Sequence, residues 1–554
     1  MSTISQKIRH KRYPIFNNSL ILEIKTPSNN VVQFIIRNLS VSGIGATTDD
    51  TGLLDQENFQ AKALFQHATI SSPSKELELP LGRVATRGLN QANGDIGFFL
   101  IDNKLPLDSQ LSKYIDSSDS QSILPYETEL DPYQFDLATF SMINENANDI
   151  FSRCHQFSTF FGQWQQTPLY LYNTVRLPSY GSRVNLSLKR RGRGRNDFIN
   201  MCSNDYLNMA SHPKVLAAAK KALDEYGFGP TGSPVATGLT QYHEELSQYL
   251  AKQYGKEKVM LFSSGYAANV GSFTCLAREN DLLIADFFAH ASIQDGLSLS
   301  SATTHFFRHN NMEHLEKILK KYRHQHAGCM IISEGIFSMG GDTCPLDEII
   351  DLAKHYQARV FIDEAHSYGL LGNNQLGITD HYDLIEETDL IMGAFSKVCG
   401  GHGGFLAGDK AVLDWISMYG RSLVFSAAFP AVSAAAVLTA IKLVFEEEPE
   451  RLQALDRNIR HFVQGLREIG YLAYDETHKS AIVPVIIGDE HVLAGIMKHL
   501  VENGVFVVPV IYPAVARNKS LLRFTISSEH TVSDLDFVLH VLSQGLKSTN
   551  FCWT

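Results

Sequence analysis

Two apolar runs of this chain end in residues that can do covalent and acid–base chemistry. RVFID closes on Asp363 and continues through Glu364, Ala365 and His366, while a later run, DLIMGAF, leads into Ser396, Lys397 and the glycine-rich VCGGHGG. Ligands of open α/β sheets sit outside the carboxyl ends of the strands, so polar residues that follow apolar runs mark the first place to seek a site. A lysine shielded from water is a nucleophilic amine. An acid at a neighbouring strand end can keep a pyridinium nitrogen protonated, which pyridoxal phosphate requires to act as an electron sink. Upstream, FSSGYAANVG has the glycine and serine content of a turn into a helix N-terminus, where backbone N–H groups bind phosphate. Singly, each feature has a plainer reading: a solvated surface lysine, an aspartate capping a helix, a common SSG turn. Together they supply a lysine, an acid and a phosphate cup.

The elements that must position these residues are legible as alternation. From residue 198 onward, helical stretches such as HPKVLAAAKKALDEY and HEELSQYLAKQYG alternate with the apolar runs KVMLF, DLLIA, GCMIIS, RVFID and DLIMGAF. This predicts a mostly parallel sheet covered by helices on both faces. Residues 133–165 carry apolar residues at helical spacing and read as a helix docking onto that unit. Before them, LILEI, VVQFIIRNLSV, KELELPLGRVAT and DIGFFLID read as short strands of a small all-β module. The expected division is 1–115 for the β module, 116–165 for a linker and docking helix, 166–440 for a large domain and 441–554 for a smaller C-terminal α/β domain. PAVSAAAVLTAIKLVF, interrupted by Lys442, reads as a buried helix.

Composition narrows the classes. Of 554 residues, 44% are hydrophobic and 19% charged, which describes a folded chain with a sizeable core. The net charge of -11 argues against general nucleic-acid binding. The seven cysteines are scattered without CxxC pairs, so no metal site is expected and all are read as thiols of a reducing compartment. No apolar stretch approaches the roughly 20 residues of a spanning helix, and the basic start is followed by no apolar leader core, so the expected location is the cytoplasm. Lys189, Arg190, Arg191, Arg193 and Arg195 form the strongest basic cluster, suited to coenzyme A phosphates, an acidic carrier protein or an anionic membrane face, with a solvated turn the favoured reading.

In their order, MCSNDYLNMASHP, HEELSQYLA, FSSGYAANVG, HASIQDG, EGIFSMGGD, DEAHSYGLLG, SKVCGGHGG, FVVPVIYPAV and LLRFTISSEHT make residues 160–545 resemble the α-oxoamine synthases, pyridoxal-phosphate enzymes of the aspartate-aminotransferase-like fold (fold type I). The resemblance implies a shared-site homodimer and a decarboxylative condensation of a small amino acid (glycine, alanine or serine) with an acyl thioester of coenzyme A or an acyl carrier protein, giving an α-amino ketone. It implies that Lys397 holds the cofactor covalently and removes the α-proton, that Asp363 pairs with the ring nitrogen, and that His366 bonds the phenolic oxygen. His290 would stack on the ring. Ser264, Gly265 and Tyr266 match the phosphate-proximal turn, with Ser396 a further phosphate contact; Glu334 and Ser338 line the pocket, and Arg523 would bind the substrate carboxylate beside Asn204. The family's Ser-Thr pair, which reaches the partner subunit's phosphate, reads Ser426 and Ala427 here. Ala394 replaces the threonine three residues before the lysine, Gly340 the acid of SMDGD, and Pro234 the arginine of the Gly-Ser-Arg turn.

Asn38, Ser40 and Gly43 fit N-x-S-x-x-G on a strand-turn, and with the basic arm before them they make residues 5–105 resemble a PilZ domain, a small β-barrel that binds cyclic di-GMP. That resemblance implies a nucleotide site at Arg9, Arg12, Asn38, Ser40 and Gly43. Arg9 stands one residue out of the R-x-x-x-R register, so in an extended arm it points away from Arg12. The alternatives are an aminotransferase or decarboxylase on the same cofactor and fold, and a nucleotide-responsive binding protein whose cofactor site has decayed. Lys397, Asp363, His290, His366 and Arg523 standing together argue against decay.

Overall fold

In the computed structural model, residues 151–187, 197–474, 478–512, 514–549 and 551 are described, together with the backbone of the strands between residues 12 and 100. The chain forms two compact units, Met1–Leu130 and Asp131–Thr554.

The first unit contains β1 (Arg12–Pro14), β2 (Ile21–Lys25), β3 (Val31–Ser40), β4 (Gly43–Thr47), β5 (Leu64–Ser71), β6 (Glu78–Asn90) and β7 (Asp95–Leu100). They pair in the order β1-β3-β2-β5-β6-β7-β4, and β3 pairs again with β4, so β2 to β7 close into an antiparallel ring. Closure removes exposed edges.

The second unit is built on a seven-stranded sheet of β11 (Lys258–Phe262), β12 (Leu282–Asp286), β13 (Thr303–Phe307), β14 (Cys329–Glu334), β15 (Arg359–Asp363), β16 (Leu390–Ala394) and β17 (Gly404–Gly408), in the order β11-β17-β16-β15-β14-β12-β13. The apolar runs are its strands. β12 and β16 are buried along their whole length, as a strand covered on both faces must be. The sheet is parallel from β16 to β13, while β17 runs antiparallel to both its neighbours. β17, sequence GFLAG, is a strand that follows directly on the glycine-rich VCGGHGG and was not among the apolar runs singled out in the sequence. Helix Gly265–Leu276 docks on the sheet through Phe273, whose ring lies 4.8 Å from that of Phe361. Burying each phenylalanine contributes about 1.5–3 kcal/mol.

Two smaller sheets follow. One has the order β19-β10-β9-β8, from β8 (Val175–Leu177), β9 (Arg183–Ser187), β10 (Asp197–Asn200) and β19 (Val505–Phe506); the other has the order β18-β21-β20, from β18 (Ile482–Gly488), β20 (Val508–Val510) and β21 (Ser520–Thr525). The Thr525 N–H donates to the Met201 carbonyl at 2.7 Å and the Ser528 N–H to that of Tyr206 at 2.9 Å, which ties β21 to the SNDYL segment. Residues 152–164 of the expected docking stretch are a helix. Among the described residues, no helix is long and apolar enough to cross a membrane.

Candidate functional site

The parallel strands deliver their carboxyl ends to one edge, and chemistry collects there. Glu334 ends β14 opposite Asp363, which ends β15 and lies opposite Met392 of β16, so the two carboxyl groups and the run into Lys397 leave the sheet side by side. Both acids are buried, at 3% and 4% exposure.

Asp363 is held at both oxygens: Oδ1 accepts the Ala365 N–H at 2.9 Å and Oδ2 the Asn269 amide at 2.9 Å. Glu334 accepts the His290 backbone N–H, and burial next to Asp363 raises its pKa well above the usual carboxylate range. Burial lowers the pKa of Lys397; Arg523 acts in the same direction, while Asp363 and Glu334 oppose it without reversing it. More of the lysine is therefore the free amine that attacks a carbonyl.

His366 sits on a turn fixed by Glu364, whose buried carboxylate accepts the N–H groups of Ile378 at 2.8 Å and Thr379 at 2.9 Å and the hydroxyl of Ser367. Its Nδ1 is 2.7 Å from the phenol oxygen of Tyr206. Burial, assisted by Lys397, Arg523 and His290, drives the His366 pKa well below its usual value, so the ring is neutral at pH 7. The Tyr206 phenol is pushed up to about 12 by burial and keeps its proton to donate to Nδ1. His290 caps helix Ala291–Leu299; part of its ring is open to solvent, while the protein packed against the rest lowers its pKa.

Arg523, on β21, donates through Nε to the Ser338 carbonyl at 2.7 Å and through Nη1 to Thr525 Oγ1 at 3.1 Å, with Asn204 Oδ1 at 3.4 Å. These acceptors are all neutral. A planar fork that carries full charge among neutral partners is suited to a substrate carboxylate.

Helix Gly265–Leu276 starts beside the same strand ends, with Ser264 as N-cap accepting the Ala267 N–H at 3.0 Å. The first N–H groups of a helix lack intrahelical partners and attract anions. A Cβ on Gly404 would lie 2.7 Å from the Gly265 nitrogen, so only glycine lets β17 approach this helix end. Tyr266 is exposed and its hydroxyl donates to Asp295, and Ser396 is exposed too. Ser426 follows the short helix Arg421–Val424, and its hydroxyl contacts the neighbouring Ala427 carbonyl. Arg9 lies outside the described residues, and Arg12, Asn38, Ser40 and Gly43 are described by backbone only.

Sequence reasoning missed Asn269, Ser292 and Tyr206. An asparagine inside the otherwise apolar GYAANVG, fully buried in the fold, was the available signal, because a buried amide must find partners.

The donor set suits pyridoxal phosphate: a half-buried amine of lowered pKa, a buried carboxylate at the adjacent strand end, a neutral imidazole and a helix N-terminus. The comparisons agree. Residues 196–542 match the family of class I and II aminotransferases. The chain is 38% identical over 339 residues to the 8-amino-7-oxononanoate synthase of Treponema denticola, covering 61% of this chain and 85% of that protein. It is 35% identical over 394 residues to the 4-hydroxy-2,2'-bipyrrole-5-methanol synthase of a Serratia strain, covering 71% of this chain and 60% of that protein. Among solved structures, the serine palmitoyltransferase of Sphingomonas wittichii superposes with a TM-score of 0.68 at 31% identity, covering 73% of this chain and 99% of that one. The chain belongs to the class I and II aminotransferase family and, within it, to the α-oxoamine synthases, which are pyridoxal-phosphate-dependent acyltransferases.

Proposed function

We propose that this protein condenses a small amino acid, glycine, alanine or serine, with an acyl thioester carried by coenzyme A or an acyl carrier protein, releasing carbon dioxide and the free thiol and leaving an α-amino ketone. The single observation that carries this reading is that Lys397 stands within electrostatic reach of Asp363 and Arg523, and His366 within that of Lys397 and Arg523, with the Arg523 fork bonded to neutral acceptors only. Bound pyridoxal phosphate would supply the electron sink that stabilises a carbanion at the amino acid's α-carbon. Lys397 would hold the cofactor and would take the α-proton on Nζ, a task for which its lowered pKa keeps more of the amine free. Asp363 would keep the ring nitrogen protonated. His366, hydrogen-bonded at Nδ1 by Tyr206, would donate from Nε2–H to the cofactor's phenolic oxygen. His290 would lie against the ring, Ser264, Gly265, Tyr266 and Ser396 would hold the phosphate, and Arg523 with Asn204 would orient the carboxylate that leaves. Glu334 and Ser338 line the pocket, and Ser426 faces a second copy in a homodimer. The relatives, an 8-amino-7-oxononanoate synthase and a serine palmitoyltransferase, support an acyl-transfer reading over transamination.

For the β module, we infer a PilZ-like barrel that binds cyclic di-GMP and regulates the enzyme. The backbone register supports this by setting Arg12 opposite Ser40 and Ser40 opposite Gly43. The nucleotide can act only through unequal affinity for two states of the enzyme.

Incubation of the purified chain and the cofactor with each amino acid and an acyl-CoA panel, followed by mass spectrometry, tests the reaction. An amino ketone that retains the acyl chain is expected. An oxo acid formed without thioester would establish an aminotransferase, and a simple amine a decarboxylase.

A further inference from the structure

Asn269, Ser292 and His290 form a hydrogen-bond chain whose direction can be deduced end to end. Asn269 Nδ2 lies 2.9 Å from Asp363 Oδ2 and 2.9 Å from Ser292 Oγ. A carboxylate only accepts, so the amide edge facing Asp363 is the NH2, and its two hydrogens go to Asp363 and to Ser292. Ser292 Oγ therefore receives a hydrogen bond from Asn269. Its own single O–H is left for its remaining neighbour, His290 Nδ1, at 2.7 Å. The Ser292 backbone N–H points at the same nitrogen from 3.3 Å. Two donors converging on Nδ1 require a lone pair there, and a neutral imidazole then carries its hydrogen on Nε2.

We propose that Asn269 and Ser292 are positioning residues that lock His290 as the Nε2–H tautomer, making it a hydrogen-bond donor toward the incoming acyl group and leaving proton removal to Lys397. A second observation favours a dedicated relay over general packing. Asn269 is fully buried, yet its Oδ1 has no partner among the described residues. A purely structural site would favour an apolar side chain of the same volume there, so what this amide contributes is its pair of N–H donors. The relay also joins two groups that face the ring in the proposed reaction, because the same amide holds Asp363 Oδ2. Protonating His290 at Nδ1 would set a new N–H against the Ser292 N–H and reverse the Ser292 hydroxyl, which keeps the ring neutral in the same direction as its lowered pKa.

The assignment of His290 as a donor rests on the reaction proposed above, whereas the tautomer does not, and it is read without substrate or cofactor. The test is two-bond 1H–15N correlation NMR of the full-length chain labelled at histidine, with the His290 signals identified by their loss in His290→Gln. The expected wild-type spectrum near neutral pH has hydrogen on Nε2 and none on Nδ1. In Ser292→Ala the second tautomer becomes detectable, and Ser292→Thr, which restores a hydroxyl, returns the wild-type pattern. Asn269→Leu, which keeps the volume and removes the donors, also admits the second tautomer. Hydrogen on Nδ1 in the wild type, an imidazolium at neutral pH, or a Ser292→Ala spectrum identical to wild type would each overturn the proposal. The expected tautomer in a chain that forms no amino ketone refutes the reaction and leaves the lock standing; product from a chain with the other tautomer does the reverse.

Discussion

Arg523 is a cation bonded to a carbonyl, a hydroxyl and an amide oxygen, and its role as carboxylate receptor depends on the fork shape as much as on the charge. Arg523→Lys keeps the charge and loses the paired geometry. KM for the amino acid is expected to rise roughly tenfold or more, since a hydrogen bond to a charged group contributes about 1.5–3 kcal/mol, with KM for the thioester unchanged. Steady-state kinetics with each substrate varied in turn checks this, and equal effects on both would show a general loss of structure. Tyr206 supplies the complementary case. Tyr206→Phe removes the only hydroxyl within reach of His366 Nδ1 among the described residues and leaves that nitrogen buried, so unfolding free energy should fall by about 1–3 kcal/mol in a denaturant titration. The freed His366 can then place its hydrogen on Nδ1, and the visible spectrum of bound cofactor should shift.

The helix starting at Gly265 and the strand starting at Gly404 depend on each other. Gly404→Ala would place a Cβ 2.7 Å from the Gly265 nitrogen and 2.9 Å from its Cα, pushing away the helix end proposed to receive the phosphate. Affinity for pyridoxal phosphate is expected to drop at least about tenfold in a fluorescence titration, because charge-assisted bonds at a helix N-terminus are lost together. Unchanged affinity would mean that the phosphate sits elsewhere. At this level the sequence was readable where a candidate residue stands at or just beyond a buried strand: Glu334 and Asp363 close β14 and β15, Lys397 follows β16, and the alternation of these runs with helical stretches marked them as parallel strands. It was unreadable where function crosses between elements. The Asn269 contact to Asp363 spans 94 positions and that of Tyr206 to His366 spans 160, so no periodicity or spacing could pair them. β17 was missed because its short GFLAG sequence begins and ends in glycine, Gly404 where the strand approaches helix Gly265–Leu276 and Gly408 where it approaches Leu390 of β16, and glycines at such spacing look like those of a turn.

Between the end of β12 and the loop after β14, His309 bridges Asp286 at 3.0 Å and Asp342 at 2.6 Å, clamping the segment that leads to His290 against the one that carries Ser338. Burial alone would lower its pKa, but hydrogen bonds to the two carboxylates override it and raise the group to about 9. The folded value lies above the unfolded one, so this stabilisation is fully present below about pH 6.5 and is lost as pH rises through about 9. Its size is on the order of 3 kcal/mol. Denaturant unfolding should show His309→Gln destabilised by that order near pH 6 and indistinguishable from wild type above pH 9.5 or so, whereas a gap that is constant with pH would assign His309 to packing alone. The same clamp holds two walls of the candidate site at fixed separation, so stability and activity are expected to fall together as this group deprotonates.

The whole chain stands or falls on one coupled event, the loss of a carboxylate on condition that a thioester is consumed. The most direct measurement supplies the amino acid labelled at its carboxyl carbon, together with acyl-CoA, to the full-length protein and follows labelled carbon dioxide and free thiol in one reaction. The account predicts equal amounts of the two, dependent on the thioester and abolished in Lys397→Ala. Carbon dioxide released without thioester, or thiol released without carbon dioxide, would contradict it.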